Sequence, residues 1–79
     1  MGNIVIDYNK DLEKIKNLKV GEHCYVHWFD EGGAVVYCVN GESTIEYELF
    51  EIPQYGGEES FEMTSPSAQE VLDIAYSWT

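Results

Sequence analysis

His23, Cys24, His27 and Cys38 are the residues of this sequence best equipped to hold a zinc ion or to pair a nucleophile with a base. Their spacing argues against both. The run from Glu22 to Phe29, rich in aromatic and β-branched residues, reads as a strand. Along a strand His23 and His27 stand about 13 Å apart, and Cys24 points to the opposite face. No third group is placed to orient a Cys-His pair. No metal and no cofactor are therefore expected, and the two cysteines read as reduced, half-buried strand residues.

Glu46 and Glu48 form the other suggestive pair. Two residues apart on one strand face, their carboxylates stand about 6.6 Å apart, a separation that overlaps the one glycoside hydrolysis requires. A chain of 79 residues, however, buries only about 60% of its unfolded surface, which leaves little room for a catalytic cleft. There is no Gly-rich phosphate loop and no Gly-x-Ser-x-Gly. Asp30-Glu31-Gly32-Gly33 lacks the ligand ladder of an EF-hand. A non-enzymatic role is expected.

The elements that must position these residues follow from local signals. Asn9 to Leu18 predicts a helix with Leu12, Ile15 and Leu18 as a narrow apolar stripe. Strands are predicted over Glu22 to Phe29, Ala34 to Val39, Glu42 to Ile52 and Glu58 to Met63. Asn40-Gly41 predicts a two-residue type I′ hairpin turn. Ser67 and Glu70 match a capping box, and Ala68, Val71, Leu72, Ala75 and Trp78 form the apolar face of a closing helix. Short turns between successive strands make an antiparallel meander. The expected fold is α+β: one domain over 1–79, a four-stranded antiparallel β-meander with an N-terminal and a C-terminal helix packed on one face.

The two-residue turn would set Val36 opposite Ile45 and Ala34 opposite Tyr47. One face then gathers Ala34, Val36, Cys38, Ile45, Tyr47 and Leu49, joined by Cys24, Val26 and Trp28 from the first strand and Phe61 and Met63 from the fourth. The other face carries His23, Tyr25, His27, Phe29, Val35, Tyr37, Val39, Thr44, Glu46, Glu48 and Phe50, with Glu58, Ser60 and Glu62. A merely solvated sheet face would be Thr, Ser and mixed charges. An aromatic and acidic one suggests an interface.

Charge sharpens that expectation. The chain has fifteen Asp and Glu against four Lys and no Arg, a formal net charge of −11. All four lysines, Lys10, Lys14, Lys16 and Lys19, precede Val20, and the remaining stretch to Thr79 holds twelve acids and no cation. Direct binding to nucleic acid or to an anionic membrane is excluded by the missing cations. Eleven aromatic residues (two Trp, six Tyr, three Phe) exclude a disordered acidic tail. Met1 to Asp7 has no basic, apolar leader pattern, so a cytoplasmic setting is expected.

Carboxylates at about 6.6 Å steps along a strand approximate the spacing of successive phosphates. Glu46, Glu48, Glu58 and Glu62, extended by Glu51, Glu59, Asp30 and Glu31 and anchored by Tyr25 and Tyr37, are the expected partner-binding residues. Their partner would be a basic nucleic-acid-binding protein. The segment Tyr47-Glu48-Leu49-Phe50-Glu51-Ile52-Pro53-Gln54-Tyr55-Gly56-Gly57-Glu58 and the closing Ala75-Tyr76-Ser77-Trp78-Thr79 resemble small acidic proteins of phages and mobile elements. In size and charge the chain is similar to anti-CRISPR proteins, several of which mimic DNA. That resemblance implies a phage protein that binds a Cas effector and blocks target DNA. The same physics suits an immunity protein or antitoxin facing a nuclease toxin, or a small accessory interaction module. An exposed aromatic face equally suits a homodimer.

Overall fold

The computed structural model describes residues 8–29, 32–53 and 55–78, with the side chains of Trp28 and Phe29 outside that description. Helix α1 (Tyr8–Lys16) is followed by strands β1 (His23–Phe29), β2 (Gly32–Asn40), β3 (Ile45–Pro53) and β4 (Ser60–Ser65), then helix α2 (Ala68–Tyr76). The strands form one antiparallel sheet in the order β1-β2-β3-β4. The fold is α+β, with both helices packed against one face of the sheet. No helix among the described residues is long and apolar enough to cross a membrane.

The core lies between that face and the helices. Val26, Ala34, Val36, Cys38, Tyr47 and Leu49 from the sheet meet Ile15 from α1 and Ala68, Val71, Leu72 and Ala75 from α2. Removing so many large apolar side chains from water is what holds a chain of this size together, at about 1.5–3 kcal/mol for each large one. In α1, Tyr8, Leu12 and Ile15 recur at the steps of one helix face, and Lys14 and Lys16 in the last turn complement the helix dipole. The start of α2 is a capping arrangement with a relay. Ser67 Oγ accepts from the Glu70 N–H at 3.2 Å, as the Ser67/Glu70 pair predicts. The return bond runs through Ser65: the Ser67 N–H donates to Ser65 Oγ at 3.0 Å, and Ser65 Oγ donates to the Glu70 carboxylate.

The β2–β3 hairpin differs from the two-residue Asn40-Gly41 turn. Asn40 pairs with Ile45, the Gly41 N–H donates to the Thr44 carbonyl at 2.8 Å, and Glu42-Ser43 make the connection. Gly41 is required for closeness: a Cβ there would meet the Thr44 carbonyl oxygen at 2.6 Å and the Glu46 Cγ at 2.7 Å. Val36 therefore pairs with Leu49 and Ala34 with Glu51, four residues along from the turn-based register. A shift by an even number leaves every side chain on its predicted face. Ile45, at the strand end, is 40% exposed and lies outside the core.

Both edge strands carry a bulge, and each bulge changes which side chains face the helices. In β1, Val26 pairs with Ala34 and Phe29 with Gly32, so two residues of β1 oppose one of β2. His27 takes φ 50°, a left-handed conformation in which His is enriched among non-glycine residues. It turns into the helix side and is buried, which corrects its predicted place on the open face. In β4, Met63 pairs with Leu49 but Phe61 with Phe50, so Glu62 is the extra residue. Met63 packs on the core as expected. Phe61 instead projects from the open face, 56% exposed, the second correction.

Candidate functional site

The face opposite the helices is an unbroken chain of aromatic rings crossing all four strands. Tyr25 and His23 of β1 meet edge-on at 5.4 Å. His23 meets Tyr37 of β2 at 5.3 Å, Tyr37 meets Phe50 of β3 at 5.3 Å, and Phe50 meets Phe61 of β4 at 5.4 Å. These separations, and the edge-to-face geometry of all but the tilted His23–Tyr37 pair, are what ring quadrupoles favour. Beneath the chain Val35, whose cross-strand partners are Tyr25 and Phe50, is fully buried. Tyr37 and Phe50 are half-buried at the centre, while Tyr25 at one end and Phe61 at the other stay open to solvent.

Carboxylates border the rings. Glu48 pairs with Tyr37 on one side and Thr64 on the other, and Glu46 pairs with Val39, so both lie on the aromatic face, half-buried. Glu59 reaches in from the β3–β4 connection: Tyr37 Oη donates to Glu59 Oε1 at 2.8 Å. That bond, with some desolvation and the Glu59 charge, holds the Tyr37 phenol above its ordinary pKa. Glu58 is exposed in the same connection, and Glu62 is exposed at the β4 bulge. Glu51, paired with Ala34 and Ser60, belongs to the helix-facing set of β3 and is not part of this surface. Asp30 and Glu31 lie outside the described residues. Of the predicted partner-binding residues, the fold thus brings Tyr25, Tyr37, Glu46, Glu48 and Glu59 to one face, with Glu58 and Glu62 at its margin. Phe50, Phe61 and His23 complete it.

The helix side holds a second cluster that sequence reasoning missed. Asp11, buried between α1 and β1, accepts from the His27 backbone N–H at 3.1 Å and from Tyr76 Oη at 2.7 Å through the same Oδ2. Lys14 Nζ lies 3.7 Å from Asp11 Oδ1. The His27 ring stacks on Tyr76 at 4.1 Å, and its Nε2 lies 3.1 Å from the Trp78 carbonyl; a carbonyl only accepts, so Nε2 carries the proton. Tyr8 Oη donates to Asp73 and its ring meets Tyr76 edge-on at 5.1 Å. The signal was available: Asp11 falls three residues after Tyr8, inside the buried stripe of α1. This cluster joins α1, β1 and the end of α2, with the Asp11 bonds largely buried and the Tyr8–Asp73 bond at the surface, and so ties the helices to the sheet.

Cys24 and Cys38 are free thiols. Burial, which outweighs the nearby Lys14, pushes the Cys24 pKa up to about 11, and burial also raises that of Cys38. Among the described residues no three His, Cys, Asp or Glu side chains gather into a metal-binding group. Comparison with models of protein families, with curated proteins and with solved structures finds no match to this chain.

Proposed function

We propose that the chain is a non-enzymatic acidic inhibitor that docks its aromatic sheet face on a basic nucleic-acid-binding protein and excludes nucleic acid from it. The observation that carries this is the ring chain from Tyr25 to Phe61 with Glu46, Glu48 and Glu59 beside it. The rings supply area that can be desolvated at a contact, and the acids supply long-range attraction to a cationic groove. No Lys or Arg occurs after Lys19 to neutralise those acids from within the same stretch. In its most specific form the partner is a Cas effector complex and the excluded ligand is target DNA, a form supported by the resemblance to anti-CRISPR proteins.

The test is affinity capture from bacterial lysate at low and at high salt, with the wild-type chain and with the Glu46→Lys/Glu48→Lys variant. A nucleic-acid-binding protein retained at low salt, released at high salt and lost with the variant supports the proposal. A captured nuclease toxin would place the chain with immunity proteins. A partner that has no nucleic-acid site, or that the variant holds equally well, contradicts it.

A further inference from the structure

A row of rings across a four-stranded sheet is the device with which single-stranded nucleic acids are read, because each base stacks flat on a ring. That use requires cations along the phosphate path. Here the rings are bordered by Glu46, Glu48 and Glu59, with Glu62 beside Phe61 in sequence, and phosphates would be repelled. The complementary ligand keeps the planarity of a base and reverses the charge. Among protein side chains that are always charged at neutral pH, that describes the guanidinium of arginine alone.

We infer that the open face selects arginine over lysine, and that its occupant is an arginine-rich segment of a protein partner laid across the strands; this rests on the basic-partner proposal above. A guanidinium is planar, weakly hydrated and rich in donors, so it can lie on a ring while turning two N–H groups to one carboxylate. An ammonium is compact and strongly hydrated, and it gains less from a ring beside it. The geometry offers such combined positions. Glu48 stands opposite Tyr37 and two residues before Phe50 on the same face. Phe61, more than half exposed, ends the chain of rings next to the Glu62 bulge. Strands repeat at about 4.8 Å, so a segment crossing them meets successive rings at distances its own side chains can span.

The test uses nona-arginine and nona-lysine peptides, equal in length and charge, titrated into the full chain at fixed salt. Backbone amide shifts report the location and calorimetry the affinity. The expected result is binding of both peptides at Tyr37, Phe50 and Phe61, with nona-arginine tighter by about fivefold or more, the factor one or two exposed cation–π contacts supply. Phe61→Leu, which keeps an apolar side chain at an exposed position, should narrow that ratio; Glu48→Gln should weaken both peptides. Equal affinities, or a ratio unmoved by Phe61→Leu, would overturn arginine selection and leave the basic-partner proposal standing. Failure of both peptides to bind this face would overturn both.

Discussion

Tyr37 donates its phenolic hydrogen to Glu59 Oε1 at 2.8 Å, tying the centre of the sheet to the connection that leads into β4. This one bond joins an aromatic of the open face to an acid of the charge field. It also gives that face a titratable signature. The folded phenol holds its proton more tightly than the unfolded one, whose pKa is about 10. Its contribution to stability is therefore present below the unfolded pKa and is lost as pH rises through the folded one. Glu59→Gln should bring the Tyr37 titration back toward the ordinary value, read as a shift of one component in the tyrosinate absorbance curve. An unchanged curve would mean that the bond does not form in solution.

Asp11 tests the cluster beneath the helices. It is buried and accepts two hydrogen bonds, from the His27 N–H and Tyr76 Oη. Asp11→Ala would remove the shared acceptor of both bonds from a largely buried position, a loss of about 1–3 kcal/mol for each bond. Urea unfolding should show a lower midpoint with an unchanged slope. A midpoint within error of wild type would show that water or another group replaces the carboxylate.

The His27 and Phe61 placements mark where the sequence stops being legible. Element order, the cap at Ser67 and most of the core followed from periodicity and turn residues, and they hold in the structure. A bulge inserts one residue and carries no composition of its own. Alternation counted from Val26 to His27, or from Met63 to Phe61, therefore predicts the wrong face across it. One bulge puts a histidine into the helix seam, and the other adds the last ring to the open face. At the hairpin, Asn40-Gly41 carried a strong turn signal, yet Gly41 serves a close approach beside Glu42-Ser43. The four-residue displacement kept the faces only because four is even.

That close approach can be measured. Gly41→Ala would drive its methyl group into the Thr44 carbonyl oxygen at 2.6 Å, against backbone that must shift to make room. The expected cost is about 1–3 kcal/mol, the range for a small-to-large change in a packed site. Thermal unfolding of a domain this small should show a midpoint lower by about 4–8 °C for each kcal/mol lost. An unaffected midpoint would mean the hairpin adopts a wider turn.

Cys24 should be a poor nucleophile. Its thiol, raised to about 11 by burial, stays protonated at neutral pH. Alkylation by iodoacetamide at pH 8, followed by mass spectrometry of the folded chain, should proceed much more slowly than that of a free cysteine and should accelerate on denaturation. Alkylation of Cys24 at the rate of a small thiol would contradict its position against the core.

Competition with DNA measures occlusion of the partner most directly. A fluorescent DNA duplex bound to the captured partner is titrated with the wild-type chain and with Glu46→Lys/Glu48→Lys, while circular dichroism monitors the fold of both. Wild type should release the DNA stoichiometrically, added salt should weaken the release, and the folded double variant should leave the DNA bound. Displacement by the variant as complete as by wild type would contradict it.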